Sequence, residues 1–139
     1  MQSKRPALIK LFLIIILIPL GLLTKVYSGI GSEFVTNQLG GIIYVVFFIV
    51  LTSLVFPKTT PLKISLIVLC VTCLLEFSQL MQIDFINDLR KYFIIRALIG
   101  SVFNVLDFIF YLIGAFIGFG ILSLIIKTVL KKDKNMIKY

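Results

Sequence analysis

The chain has 139 residues, of which 60% are apolar and only 14% charged, with a net charge of +8 and no histidine. A water-soluble domain carries about 25% charged residues to cover its surface, so this composition and a mean hydropathy of +1.13 exclude a protein solvated only by water. The missing histidine removes imidazole acid–base chemistry and imidazole metal ligands. The positive charge lies at the ends of apolar runs and is not interleaved with aromatics on a soluble face, which excludes a nucleic-acid-binding surface.

Four apolar stretches follow one another along the chain: residues 6–23, 39–56, 61–81 and 105–126. Each approaches the roughly 20 residues needed to cross about 30 Å of hydrocarbon. Backbone polar groups in lipid must be satisfied within the span, so all four are expected to be helices. The expected fold is therefore all-α: a polytopic membrane protein, 1–139 as a single integral membrane domain, built as a four-helix transmembrane bundle.

The first stretch opens on Lys4, Arg5 and Lys10 but has a long apolar core and no clean small-x-small site, so it reads as an uncleaved helix, kinked at Pro19. A glycine-containing outer loop is expected over 24–38, with one acid, Glu33. A tight turn is expected over 57–60, closed by Pro61. The third stretch contains Cys70 and Cys73. Within an apolar helix and without further ligands nearby, these two thiols read as small packing residues, neither metal-binding nor redox-active.

Residues 82–104 mix five charges with a series of Phe, Ile and Leu. That combination suits an interfacial or re-entrant segment between the third and fourth helices. Residues 127–139 read as a basic tail. With four spans, both termini share one side. Of the 14 Lys and Arg, only Lys25, Arg90, Lys91 and Arg96 fall on the other side, so the positive-inside rule puts the termini in the cytoplasm. The tail would then lie against the anionic inner leaflet.

Two acids stand inside apolar runs. Glu76 shares a helix face with Gln79, three residues on, and with Thr72, four residues back. With the span ending near Gln82, Glu76 sits roughly 9 Å inside it. A charge at mid-bilayer costs about 2.5–3.5 kcal/mol on insertion scales, so Glu76 should face the bundle or a wet cleft. Asp107 opens the fourth span and begins a stripe with Tyr111, Gly114 and Gly118 at spacings of four, three and four. Gly114-x-x-x-Gly118 marks a helix-packing seam.

Arg90 is the preferred cation, since a guanidinium bridges two carboxylates. The candidate cluster is Glu76, Gln79, Arg90 and Asp107, with Tyr111 as donor and Arg96 nearby. Three readings stand: an ion pair that fixes helix register, a ligand or proton-relay site, or residues that never meet.

The spaced pattern Glu76-x-x-Gln79-Leu80, Arg90, "LIGSVF", Asp107-x-x-x-Tyr111-x-x-Gly114-x-x-x-Gly118 resembles an uncharacterised bacterial membrane protein family, domain of unknown function 2809, which is similar to VanZ-like proteins. VanZ-like proteins usually carry Asn where this chain has Tyr111, which favours the uncharacterised family. Upstream, "GLLTK" looks like that family's Gly-Leu-x-x-Arg, with Lys25 in place of arginine, and "LGGIIY" looks like its Gly-Asp-x-x-Tyr/Trp, with Gly41 in place of aspartate.

The resemblance implies a fold and, through VanZ-like relatives associated with teicoplanin-type resistance, a site facing the cell exterior. The resulting expectation is a small non-enzymatic protein of the bacterial inner membrane and cell envelope. Its outer-leaflet polar cleft would bind a lipid head group, an amphiphilic small molecule or a lipoglycopeptide. Membrane lipids are its expected partners, no cofactor, metal or nucleic acid is expected, and the sequence specifies no oligomeric state. The alternatives are an intramembrane enzyme with Glu76 as base and an accessory subunit of a transporter. Against the enzyme stands the absence of a Gly-x-Ser-x-Gly elbow, a His-Glu-x-x-His motif or a metal-ligand cluster.

Overall fold

A computed structural model describes residues 5–80, 84–89, 91–99 and 103–136. Six helices make up the described chain: α1 (Arg5–Val26), α2 (Ser32–Val55), α3 (Pro61–Ser78), α4 (Asp84–Leu89), α5 (Phe93–Ile99) and α6 (Val105–Met136). Four of them, α1, α2, α3 and α6 over Val105–Val129, are long and apolar enough to span a bilayer. The protein is thus an all-α membrane-embedded bundle.

Local chemistry sets the helix ends. Gly31 turns the chain between α1 and α2 with φ 73°, a left-handed conformation that glycine adopts without a Cβ penalty. Pro61 begins α3, where its fixed φ suits a first helical turn and its missing N–H costs nothing. At the other end of α3 the last bonds shorten their reach: Gln79 N–H donates to Glu76 O and Leu80 N–H to Phe77 O, each at 3.1 Å. This tightened turn closes α3 at Ser78.

Three boundaries differ from expectation. Residues 32–38, expected in a loop, are already helical. Glu33 lies in the first turn, where an acid complements the helix dipole, and the Phe34 ring meets Phe110 edge-on at 6.0 Å. The third span stops at Ser78 and not near Gln82, so Glu76 lies only about 3 Å from the helix end. The fourth helix runs on through much of the basic tail, to Met136; a cation-rich sequence is favourable at a helix C-terminus. The segment between α3 and α6 holds the two short helices α4 and α5, of 6 and 7 residues. Neither is long enough to cross a bilayer. Tyr92, Phe93 and Ile94 are exposed there, and Asp88 pairs with Lys91 at 2.7 Å. Cys73 is half-buried and Cys70 exposed, both free thiols.

The buried apolar core comes from three helices: Val45 and Ile49 of α2, Ile64 and Val68 of α3, Ala115 and Leu122 of α6. α6 lies between α2 and α3, and the glycine stripe makes this possible. A Cβ at Gly114 would come within 3.0 Å of Ile42 O and Val45 Cβ, and one at Gly118 within 2.7 Å of Ile49 Cδ1. The two helices meet at backbone distance.

α1 is held differently. Among the described residues it adds no apolar side chain to the buried core; its buried residues are Lys10 and Thr24. At one end Lys10 Nζ donates to Ser53 O at 3.0 Å, a carbonyl in the last turn of α2 with no intrahelical donor. At the other end Thr36 Oγ1 donates to Thr24 O at 2.9 Å and Lys25 Nζ to Thr36 O at 3.2 Å. Thr36 belongs to a π-helical stretch, Val35–Leu39, and both its hydroxyl and its carbonyl engage α1. Polar pins at both ends therefore seat α1 against α2.

Candidate functional site

The polar groups gather where α3 ends and α6 begins. Glu76 is 1% exposed, and its carboxylate accepts three hydrogen bonds. Tyr111 Oη donates to Oε2 at 2.8 Å, Gln79 Nε2 to Oε2 at 3.0 Å, and the backbone N–H of Asn104 to Oε1 at 3.0 Å. Among the described residues these donors are all neutral. The Asn104 amide belongs to the N-terminus of α6, whose dipole favours an anion. A carboxylate close to hydrocarbon is tolerable here because three donors and a helix end surround it.

Asn104 positions the whole arrangement. Its side-chain Oδ1 accepts from Leu106 N–H at 3.1 Å and its carbonyl from Asp107 N–H at 3.0 Å. It is the N-cap of α6, and its own N–H is thereby aimed at Glu76. Sequence reasoning did not single it out, although an Asn directly before an apolar run is a helix-start signal.

The second acid is placed differently. Asp107 lies one turn along α6 and is half-buried. Its Oδ1 is shielded from solvent and has no hydrogen-bond partner among the described residues. Its charge acts on both Glu76 and Lys25. Lys25 stands across the bundle on α1, close to Gly40. The Tyr111 ring packs against Gly41, where a Cβ would meet Cε1 at 3.1 Å. A bare backbone at that point of α2 lets the tyrosine lie flat and reach Glu76. Phe77, Phe103 and Phe108 flank the site as an aromatic trio, with ring centroids 5.2–6.5 Å apart.

The structure thus brings Glu76, Gln79 and Tyr111 into direct contact and sets Asp107 beside them. Thr72, on the same face, turns its hydroxyl to Leu69 O at 2.9 Å. Arg96 is exposed on α5. Arg90, the expected bridging cation, lies outside the described residues. Gly114 and Gly118 serve the α2–α6 contact. Among the described residues there is no group of three or more acidic, Cys or His side chains able to hold a metal ion.

The site can hold and orient a polar group, since it combines a fixed acceptor, an acceptor without a donor among the described residues and a nearby ammonium. Comparison with curated proteins and with solved structures finds no match. A family model does match, over residues 30–115. The matched stretch takes in α2 to α5, Glu76, Gln79, Asn104, Asp107 and Tyr111, and leaves α1 and Gly118 outside. The chain belongs to the family described as Protein of unknown function (DUF2809).

Proposed function

We propose that this is a non-enzymatic protein of the cell envelope whose polar bundle end holds the head group of an amphiphile, either a lipid or a lipoglycopeptide. Glu76, Gln79, Asp107 and Tyr111 form the floor, and Arg90 and Arg96 supply cations for an anionic portion. The carrying observation is the contrast between the acids. Glu76 is engaged by three donors, whereas Asp107 Oδ1 is shielded and has none among the described residues. Rotation of the half-buried Asp107 side chain would bring Oδ1 to an N–H or O–H on a bound head group and remove the penalty of an unmade hydrogen bond.

The same contrast disfavours an intramembrane enzyme. A general base needs a lone pair within reach of substrate, and Glu76 is buried behind its own donors. The distribution of Lys and Arg supports cytoplasmic termini, which puts the polar end at the outer leaflet. The VanZ-like resemblance of the pattern from Glu76 to Gly118 supports a ligand of the lipoglycopeptide class.

The test is a strain lacking the protein, challenged with lipoglycopeptides and envelope stress, then complemented with wild type or Asp107→Asn. Altered sensitivity that wild type restores and Asp107→Asn restores less well is the expected result. Unchanged sensitivity across the panel overturns the proposal.

A further inference from the structure

α1 is pinned to α2 at its two ends and packs along it between the pins, with a groove of about 190 Å³ beside their contact. Its walls are Leu17 and Gly21 on α1, Ile43 and Phe47 on α2, and Lys25 and Gly40 stand at its head. From residue 17 to residue 25 it extends about 12 Å along the helix axis. Apart from Lys25 the lining carries no charge.

We infer that this groove is a lipid site: it takes one acyl chain of an anionic phospholipid, with the phosphate on the Lys25 ammonium. Three observations argue for that occupant. The walls are apolar along their length, so a hydrocarbon chain is favoured and a polar peptide is not. The one charge is positive and stands at the end of α1, where a head group meets the acyl region. Lys25 is exposed, and one of its three N–H donors goes to Thr36 O. Asp107 acts on it electrostatically but forms no ion pair with it. The ammonium therefore retains donors for a phosphate oxygen. Gly21 lines the groove, where a Cβ would stand in ordinary contact with Ile43 Cγ2 at 3.5 Å and a larger side chain would enter the space. Lys25 lies within electrostatic reach of Asp107, but none of Glu76, Gln79, Asp107 and Tyr111 lines the groove, and its test is read on purified protein whatever the envelope phenotype shows.

The experiment uses the full chain in phosphatidylcholine nanodiscs. Two photoreactive probes with identical acyl chains are compared, one a phosphatidylglycerol and the other a diacylglycerol with no phosphate. The phosphatidylglycerol probe should label residues 17–25 and 40–48 several-fold more than the diacylglycerol. Lys25→Gln should bring it down to the diacylglycerol level, and Lys25→Arg should keep the preference. Gly21→Leu, which fills the groove, should lower labelling by both probes there. Equal labelling by the two probes, unchanged phosphatidylglycerol labelling in Lys25→Gln, or labelling spread evenly over all four spans would each overturn the inference.

Discussion

At the scale of single residues, the burial of Glu76 is explained by the donors around it. Tyr111→Phe deletes one of them and leaves the ring in place against Gly41. Loss of a hydrogen bond to a charged acceptor in a buried setting costs about 1–3 kcal/mol, so this variant should show a lower melting temperature in detergent with the helical content intact. Asn104→Ala removes an N-cap, typically worth about 1 kcal/mol, and also loosens the amide that faces Glu76. Both substitutions act on one carboxylate, so a double-mutant cycle should give a coupling energy clearly different from zero. Strict additivity would mean that Asn104 and Tyr111 do not share Glu76. Lys10→Met should release the last turn of α2, since Ser53 O then has no donor. Faster amide hydrogen exchange at residues 53–56 is the expected readout.

At the scale of elements, the α2–α6 contact depends on two glycines that face different kinds of obstacle. Gly114→Ala would press on the Ile42 carbonyl and the Val45 Cβ, neither of which can rotate away. Overpacking of this kind costs about 1–3 kcal/mol. Gly118→Ala would press first on Ile49 Cδ1, the far end of a side chain. An Ile49→Val background removes that atom, so it should relieve Gly118→Ala and leave Gly114→Ala unrelieved. Thermal melts of the four variants test this, and equal relief would show that the close approach is not local. Helix α1 follows another rule: among the described residues it buries no apolar side chain fully, and hydrogen bonds tie both of its ends to α2.

At the scale of the molecule, the proposed orientation makes a direct prediction. Reporters fused to either end should be active in the cytoplasm, and a cysteine introduced at Lys91 should react with a membrane-impermeant thiol reagent from outside. Cytoplasmic reaction at that position would reverse the assignment and with it the outer-leaflet reading of the polar end.

The four spans were legible because hydrocarbon forbids unsatisfied backbone, so a long apolar run can only be a helix. The shared faces of Glu76 with Gln79, and of Asp107 with Tyr111, Gly114 and Gly118, followed from helical periodicity alone. What periodicity could not supply was which helices meet and at what height. Only the tertiary structure set the α6 N-terminus against Glu76, made neutral donors its described partners and turned Asn104 into the residue that aims one of them. It also set Lys25 of α1 within electrostatic reach of Asp107, some 80 positions along the chain. Boundaries such as Ser32 and Ser78 were missed for a different reason. Each helix end is decided by the turn and capping bonds that close it, which hydropathy does not record.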